Sequence, residues 1–410
     1  MESILGIIGE YNPFHNGHLY QLHKSIELVN AKRTVLILSG NYVQRGDCAL
    51  IDKWKRTEMA LKNGVDLVIE LPILCSISSA EIFASSAIKV LNSLKVVNYL
   101  SFGSECGSIE ILSEFANVLS NEPPEFKALL QHELSKGISF PKARENALLL
   151  YLNDILKYSN ILNCPNNTLG LEYLISLKNS NSKIRPLTIK RQFAEYNSLE
   201  SINGFASATA IREMIYNNDY DNLFSSMPQS SYEILMEALR SGEFVCGLQD
   251  FEKEILFLLR CMSKESIANL PAVSEGLENS IKEAASTCNT LEELIQKVKS
   301  KRFTRTRIQR ILLYALLGYT KEDMNFVQEN IPYIRVLGFT ETGKSLLSTI
   351  SKSNKKLKIV TSVKHFTDRC KNKKILNLLQ KDIRSTDIYT LGYRNNSQAN
   401  LDYTKRLIRM

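Results

Sequence analysis

The chain has 410 residues, 44% of them hydrophobic and 23% charged, with only 18 glycines and 10 prolines, a balance that excludes a low-complexity or disordered chain. At about 100–200 residues per domain there is room for two or three domains and at least one full-sized core. No run approaches the roughly 18–20 apolar residues of a membrane span, and the first residues enter a strand without a basic flank or cleavage site, so a cytoplasmic protein with no membrane partner is expected.

The net charge of +8 suits a polyanionic partner without requiring one. The eight cysteines are scattered with no C-x-x-C pair, so they read as reduced, mostly buried thiols, and no structural metal is expected.

In chain order, residues 4–8 read as a strand, 19–29 as a helix and 34–38 as a second strand. Residues 53–63 read as a helix, 66–72 as a buried strand and 79–94 as a helix. Residues 96–102 and 184–190 give two further strands. Alternation of this kind predicts parallel strands joined by helical crossovers, an α/β doubly wound sheet that holds ligands where the strand order reverses. From Pro228 the texture becomes helical, with Ile308, Leu312, Ala315 and Leu316 on one face. Short β-like runs return at 333–337 and 358–362. The expected division is a catalytic α/β domain over 1–227 and a mostly helical, basic domain over 228–410 with a mixed tail.

Directly after the first strand stands Glu10-Tyr11-Asn12-Pro13-Phe14-His15-Asn16-Gly17-His18, followed by a helix. A helix start offers free backbone N–H groups and partial positive charge to phosphates. Gly17 permits close backbone approach, and His15 and His18 can donate to phosphate oxygens as charge builds in an in-line displacement at the α-phosphate. A second segment, Ser207-Ala208-Thr209-Ala210-Ile211-Arg212, reads as hydroxyl caps opening a helix with Arg212 one turn in, a planar donor fork for phosphate. Glu10, Asp47 and Glu105 are either magnesium ligands or loop caps, the latter favoured for each singly.

Asn41, Gln44 and Arg45 follow the second strand and should land at the ligand edge of the sheet. Between Glu293 and Glu322 no acidic residue occurs, while Arg302, Arg305, Arg307 and Arg310 do. Such a stretch is either a solvated face or a surface that tracks nucleic-acid phosphates, with Arg45 a further candidate.

The H-x-G-H and S-x-T-x-I-R segments resemble the H-x-G-H nucleotidyltransferase superfamily, which implies a Rossmann-like sheet of nucleotidyltransferase type. Together with 40–47, 60–72, 101–105, Pro165-Asn166-Asn167-Thr168-Leu169-Gly170 and 333–339, they resemble nearly end to end the bacterial tRNA(Met) cytidine acetate ligase family. That resemblance implies activation of acetate by ATP as acetyl-adenylate. It also implies acetylation of the exocyclic amine of the wobble cytidine in elongator tRNA(Met), with magnesium accompanying the ATP.

The catalytic residues implied are His15, His18 and Arg212. The ATP site implied is Ile7, Ile8, Gly9, Glu10, Tyr11, Asn12, Pro13, Phe14, His15, Asn16, Gly17, His18, Leu19 and Tyr20, with Gly103, Arg191, Gln192, Ser207, Thr209 and either Asn166 or Asn167. The superfamily's commonest form has aspartate where Asn12 stands, and asparagine is the trait of the family resembled. Two other readings remain open: a small-molecule adenylyltransferase, and an RNA-binding protein with a vestigial nucleotide pocket.

Overall fold

The structure, a computed structural model, describes residues 2–138, 140–153, 161–191, 205–395 and 398–410. Its strands are β1 (Ile4–Gly9), β2 (Arg33–Ser39), β3 (Tyr42–Val43), β4 (Asp47–Cys48), β5 (Leu67–Leu71), β6 (Tyr99–Ser104), β7 (Arg185–Lys190), β8 (Ile334–Phe339), β9 (Ile359–Val360) and β10 (Ile408–Arg409). Eight of them form one sheet in the order β10-β8-β5-β2-β1-β6-β7, with β9 beside β8, while β3 and β4 make a separate small hairpin.

Strand β1 pairs in parallel with β2 on one side and with β6 on the other. The order therefore reverses at the β1/β6 crevice, where a doubly wound sheet holds its ligand. Strands β2 and β5 are buried almost throughout because helices cover both faces of the sheet; Val35, Leu36, Ile37 and Leu38 are all fully buried.

The first helix, α1 (Asn16–Val29), starts three residues earlier than the apolar periodicity suggested, because His15 itself is its N-cap. Helix α2 (Lys53–Lys62) is capped by Asp52, whose side chain accepts the Lys55 N–H.

The C-terminal runs are not a separate layer. Strand β8 pairs antiparallel with β5, and β9 and β10 pair in parallel with β8, so the sheet crosses the boundary expected at 227/228. The sequence cannot show this, since which strands pair is decided by non-local hydrogen bonding rather than by local pattern. The helix Arg305–Leu317 also differs from the one-faced helix expected. Ile308, Ile311, Leu312, Leu313, Tyr314, Ala315, Leu316 and Leu317 are all buried, because it is packed between the helices Glu252–Cys261, Leu291–Val298 and Lys373–Thr390 and the β4 hairpin.

The tail is tied to the sheet by a buried charge cluster. Lys53 Nζ lies 3.0 Å from Glu70 Oε1 and 2.9 Å from Asp402 Oδ1. Arg335 Nε lies 3.3 Å from Glu70 Oε2, and its Nη2 donates to Asp402. All four side chains are at most 6% exposed. Charges so far from water persist only when paired. Burial drives the Asp402 carboxyl upward, but Arg335 and Lys53 outweigh it and hold the group below its ordinary value.

Substituting Asp402→Asn is expected to destabilise the protein by about 3–5 kcal/mol in urea unfolding at neutral pH. A carboxyl with a lowered folded-state pKa contributes its stability above the ordinary aspartate value near 4 and loses it as the pH falls through the folded-state value. The gap between wild type and variant should accordingly be full above about pH 4 and shrink below it.

Candidate nucleotide site

A cavity of about 290 Å³ opens at the β1/β6 crevice, and a smaller cleft of about 40 Å³ adjoins it. His15, His18, Gln21, Gly103 and Arg191 line both.

The two histidines are positioned by the helix start they build. His15 Nδ1 accepts the Gly17 N–H at 3.0 Å, and His18 Nδ1 accepts the His15 N–H at 3.3 Å, a reciprocal capping box. A ring nitrogen that accepts carries no hydrogen, so each neutral imidazole holds its hydrogen on Nε2, the donor it can offer to the cavity. The rings stack with centroids 3.7 Å apart. Burial first, and Arg191 second, lowers His15 to about 3; burial, His15 and Arg191 lower His18 as well. At neutral pH both are therefore uncharged donors. Gly17 is required because a Cβ there would stand 2.9 Å from His15 Cε1.

Asn12 lines the cavity and bridges two segments: its Oδ1 accepts the Leu50 N–H at 2.7 Å, and its carbonyl accepts from Arg212 Nη1 at 3.1 Å. Arg212 Nη2 also donates to Thr209 Oγ1 at 3.3 Å. Ser207 caps the helix Ala208–Tyr216 by accepting the Ala210 N–H. The two signature segments, about 200 positions apart, thus meet at one wall, where Ser207, Thr209 and Arg212 line the cavity with His15 and His18.

Of the expected ATP residues, Ile8, Gly9, Glu10, Tyr11, Asn12, Gly103, Asn166 and Arg191 also line the cavity, and Gly17 and Tyr20 line the cleft. Ile7, Pro13, Phe14, Asn16 and Leu19 line neither. Ile7 and Phe14 are core side chains, and Asn16 Nδ2 donates to the Ser225 carbonyl. A contiguous segment cannot turn every side chain toward one ligand, because a strand alternates its faces and a helix rotates them. Gln192 lies outside the described residues.

The asparagine pair divides into two roles. Asn167 is buried; its Oδ1 accepts the Glu105 and Cys106 N–H groups and its Nδ2 donates to the Ile161 carbonyl. Asn166 lines the cavity, with its Nδ2 donating to Glu105 Oε1 at 2.7 Å.

The three acidic candidates act as caps. Glu10 accepts the Gln44 N–H, Asp47 accepts those of Cys48 and Leu248, and Glu105 accepts those of Asn166 and Asn167. Burial raises Glu10 and Asp47 above their ordinary values against these hydrogen bonds and the nearby arginines. No group of three or more metal-ligating His, Cys, Asp or Glu side chains occurs among the described residues.

Gln44 and Arg45 line the cavity as expected, but Asn41 does not. It is buried, with Oδ1 accepting the Lys53 N–H at 2.9 Å. Two contributors were missed. Gln21, one turn after His18 on α1, was available from helical spacing. Arg56 was not, since a lone arginine on a helix reads as a surface residue. It is fully buried, donating to the carbonyls of Ile51, Glu10, Ser39 and Gly40, and so clamps the ends of β1 and β2 beneath the cavity.

The basic stretch is less one-signed in space than in sequence. Arg305 makes a two-pronged pair with Glu292, Arg302 lies 3.7 Å from Glu275, and Arg307 donates to the Ala272 carbonyl and to Ser274. Arg310 is partly buried against the hairpin at Gly46. The acids that pair here come from preceding segments, which the linear run cannot reveal.

A doubly wound sheet whose first helix opens on this histidine pair at the strand-order reversal has the architecture of a nucleotidyl transferase, and the family model described as HIGH Nucleotidyl Transferase matches residues 1–404. The chain is 45% identical over 407 residues to the tRNA(Met) cytidine acetate ligase of Caldanaerobacter subterraneus subsp. tengcongensis, with 99% of each chain covered. It is 41% identical over 416 residues to the protein of the same name from Acetivibrio thermocellus, with 100% of each covered. The crystal structure of Thermotoga maritima TmcAL in its apo form matches with a TM-score of 0.92 at 35% identity, covering 100% of this chain and 99% of that one. The form bound with alpha-thio ATP matches with a TM-score of 0.90 and the same coverage. The chain belongs to the HIGH nucleotidyl transferase family and, within it, to the tRNA(Met) cytidine acetate ligases.

Asn167→Ala should lower stability by about 1–3 kcal/mol in urea, because it takes the partner from the buried Ile161 carbonyl and from the half-buried Glu105 and Cys106 N–H groups. Asn166→Ala, which loses only the side-chain bond to Glu105, should lower stability less than Asn167→Ala yet weaken ATP binding several-fold in equilibrium titration. Equal behaviour of the two variants in both measurements would contradict this division of roles.

Proposed function

We propose that this protein is an ATP-dependent ligase that activates acetate as acetyl-adenylate and acetylates the exocyclic amine of the wobble cytidine of elongator tRNA(Met), acting in the cytoplasm. The observation that carries the reading is the histidine pair, held by its own capping box with both donor hydrogens on Nε2 at the start of α1. The full-length likeness to the tRNA(Met) cytidine acetate ligases and to TmcAL bound with alpha-thio ATP supports it. No helix among the described residues is long and apolar enough to cross a membrane.

The triphosphate lies along the start of α1, where His15, His18 and Arg212 line the cavity. A carboxylate oxygen of acetate attacks the α-phosphorus, the bond from that phosphorus to the bridging oxygen breaks, and pyrophosphate leaves with its electron pair. Acetate is already ionised and nucleophilic, so no general base is needed; the site positions the reactants and neutralises charge growing on the α-phosphoryl and bridging oxygens. The cytidine amine nitrogen then attacks the acetyl carbonyl, AMP departs as the leaving group, and the amine loses one proton. Magnesium would arrive on the triphosphate, held by phosphate oxygens and water, as is usual for this ion. Asn166, Gly103, Arg191, Ser207 and Thr209 complete the nucleotide site, with Gln192 beside Arg191 in sequence. Arg45 stands at the cavity and Arg302, the most exposed of the four helix-leading arginines at 81%, is placed to meet tRNA phosphates; Arg305, Arg307 and Arg310 hold the adjoining surface in shape.

Nucleoside mass spectrometry of tRNA incubated with protein, ATP and labelled acetate should show acetylated cytidine. His18→Ala should slow pyrophosphate release by about 10²–10³-fold, the usual loss for one transition-state donor. Pyrophosphate exchange that required a phosphorylated small molecule instead of acetate would refute the assignment.

A further inference from the structure

The cavity has two unlike walls. Its polar wall is built by α1 and the helix Ala208–Tyr216, with His15, His18, Gln21, Ser207, Thr209 and Arg212. The apolar part of its lining comes from Ala80 and Phe83 of the helix Ala80–Leu94, Phe102 of β6, and Leu169 and Tyr173 of the helix Pro165–Asn179. Phe83, Phe102 and Tyr173 are at most 4% exposed, and the Phe102 and Tyr173 rings meet at 5.6 Å between centroids.

Two details mark this wall as a site rather than ordinary core. Tyr173 lines the cavity, and no hydrogen bond from its hydroxyl to another described residue competes with a ligand there. Gly170 is the second. A Cβ at that position would stand 2.4 Å from Phe102 Cε2, so glycine is what lets the Phe102 ring lie back against the helix and keeps the space in front of it open.

We propose that this wall is the acyl pocket: Phe83, Phe102 and Leu169 enclose the methyl group of the carboxylate substrate and set its length, while the Tyr173 hydroxyl donates to the carboxylate oxygen that does not attack phosphorus. The inference rests on the proposed acetate-activating function and assigns the substrate's place within it. The α-phosphorus is reached from the polar wall by the nucleotide, so the carboxylate carbon lies between the walls and its methyl group points to the apolar one. Burial, with Glu10 nearby, raises the tyrosine far above its usual range, so it remains a neutral donor at any working pH. A closed apolar pocket separates substrates that differ by one methylene about 10–200-fold. Wild type should therefore prefer acetate to propionate within that range.

The test is carboxylate-dependent ATP–pyrophosphate exchange with acetate and with propionate. Leu169→Ala, at a half-buried position that tolerates truncation, should raise the propionate-to-acetate ratio of kcat/KM at least tenfold, and Phe83→Ala should do the same. Tyr173→Phe, which keeps the ring packing, should raise KM for acetate about tenfold while leaving KM for ATP within twofold. Ratios unchanged in active Leu169→Ala protein, together with an unchanged acetate KM in Tyr173→Phe, would overturn the pocket while leaving the proposed function standing. Exchange by wild type that is indifferent to every carboxylate would overturn both.

Discussion

The structure depends on four charges that water scarcely reaches. Lys53 and Arg335 face Glu70 and Asp402 at the meeting of α2, β5, β8 and the C-terminal tail. Each ion is tolerable only because the others are present, so the sheet and the tail that packs against it share this junction. The dependence reaches the nucleotide site through α2. That helix carries Lys53 on one turn and Arg56 on the next, and Arg56 grips the carbonyls of Glu10, Ser39 and Gly40 at the ends of β1 and β2. Anchoring α2 therefore anchors the floor of the cavity.

On that floor the histidine pair needs little outside help to be correctly oriented. Capping the helix and fixing the tautomers are one arrangement, because the same hydrogen bonds that satisfy the free N–H groups of α1 occupy both Nδ1 atoms. The site is thereby preorganised before nucleotide arrives, the condition under which fixed donors count most toward charge developing in a transition state. Neutral rings suit phosphate chemistry here, since they donate without the desolvation cost of a buried cation.

Much of this was legible beforehand. A strand, then proline and glycine around two histidines, then a helix is a local pattern with a local cause, so the phosphate end of the cavity could be read from residues 4–29. The capped helix bearing Arg212 was legible for the same reason. Local pattern said least where the cause was distant. Asn41 stood beside cavity residues but turned inward to cap α2. Arg305 stood in an acid-free run but met Glu292 from the helix before it. The periodic face of Arg305–Leu317 became a helix buried nearly all round because neighbours from several parts of the chain enclose it.

The sequence by itself determined the parallel α/β order, the helix start that receives phosphates and the donor types placed there, since backbone geometry, capping and glycine's steric freedom act over a few residues. Only the tertiary structure decided that the tail's strands complete the first sheet, that Asn166 rather than Asn167 borders the cavity, and that Phe83, Phe102, Leu169 and Tyr173 form one wall. Those outcomes follow from pairing and burial between segments far apart in the chain, whose energies depend on contact in space and leave no mark in local spacing.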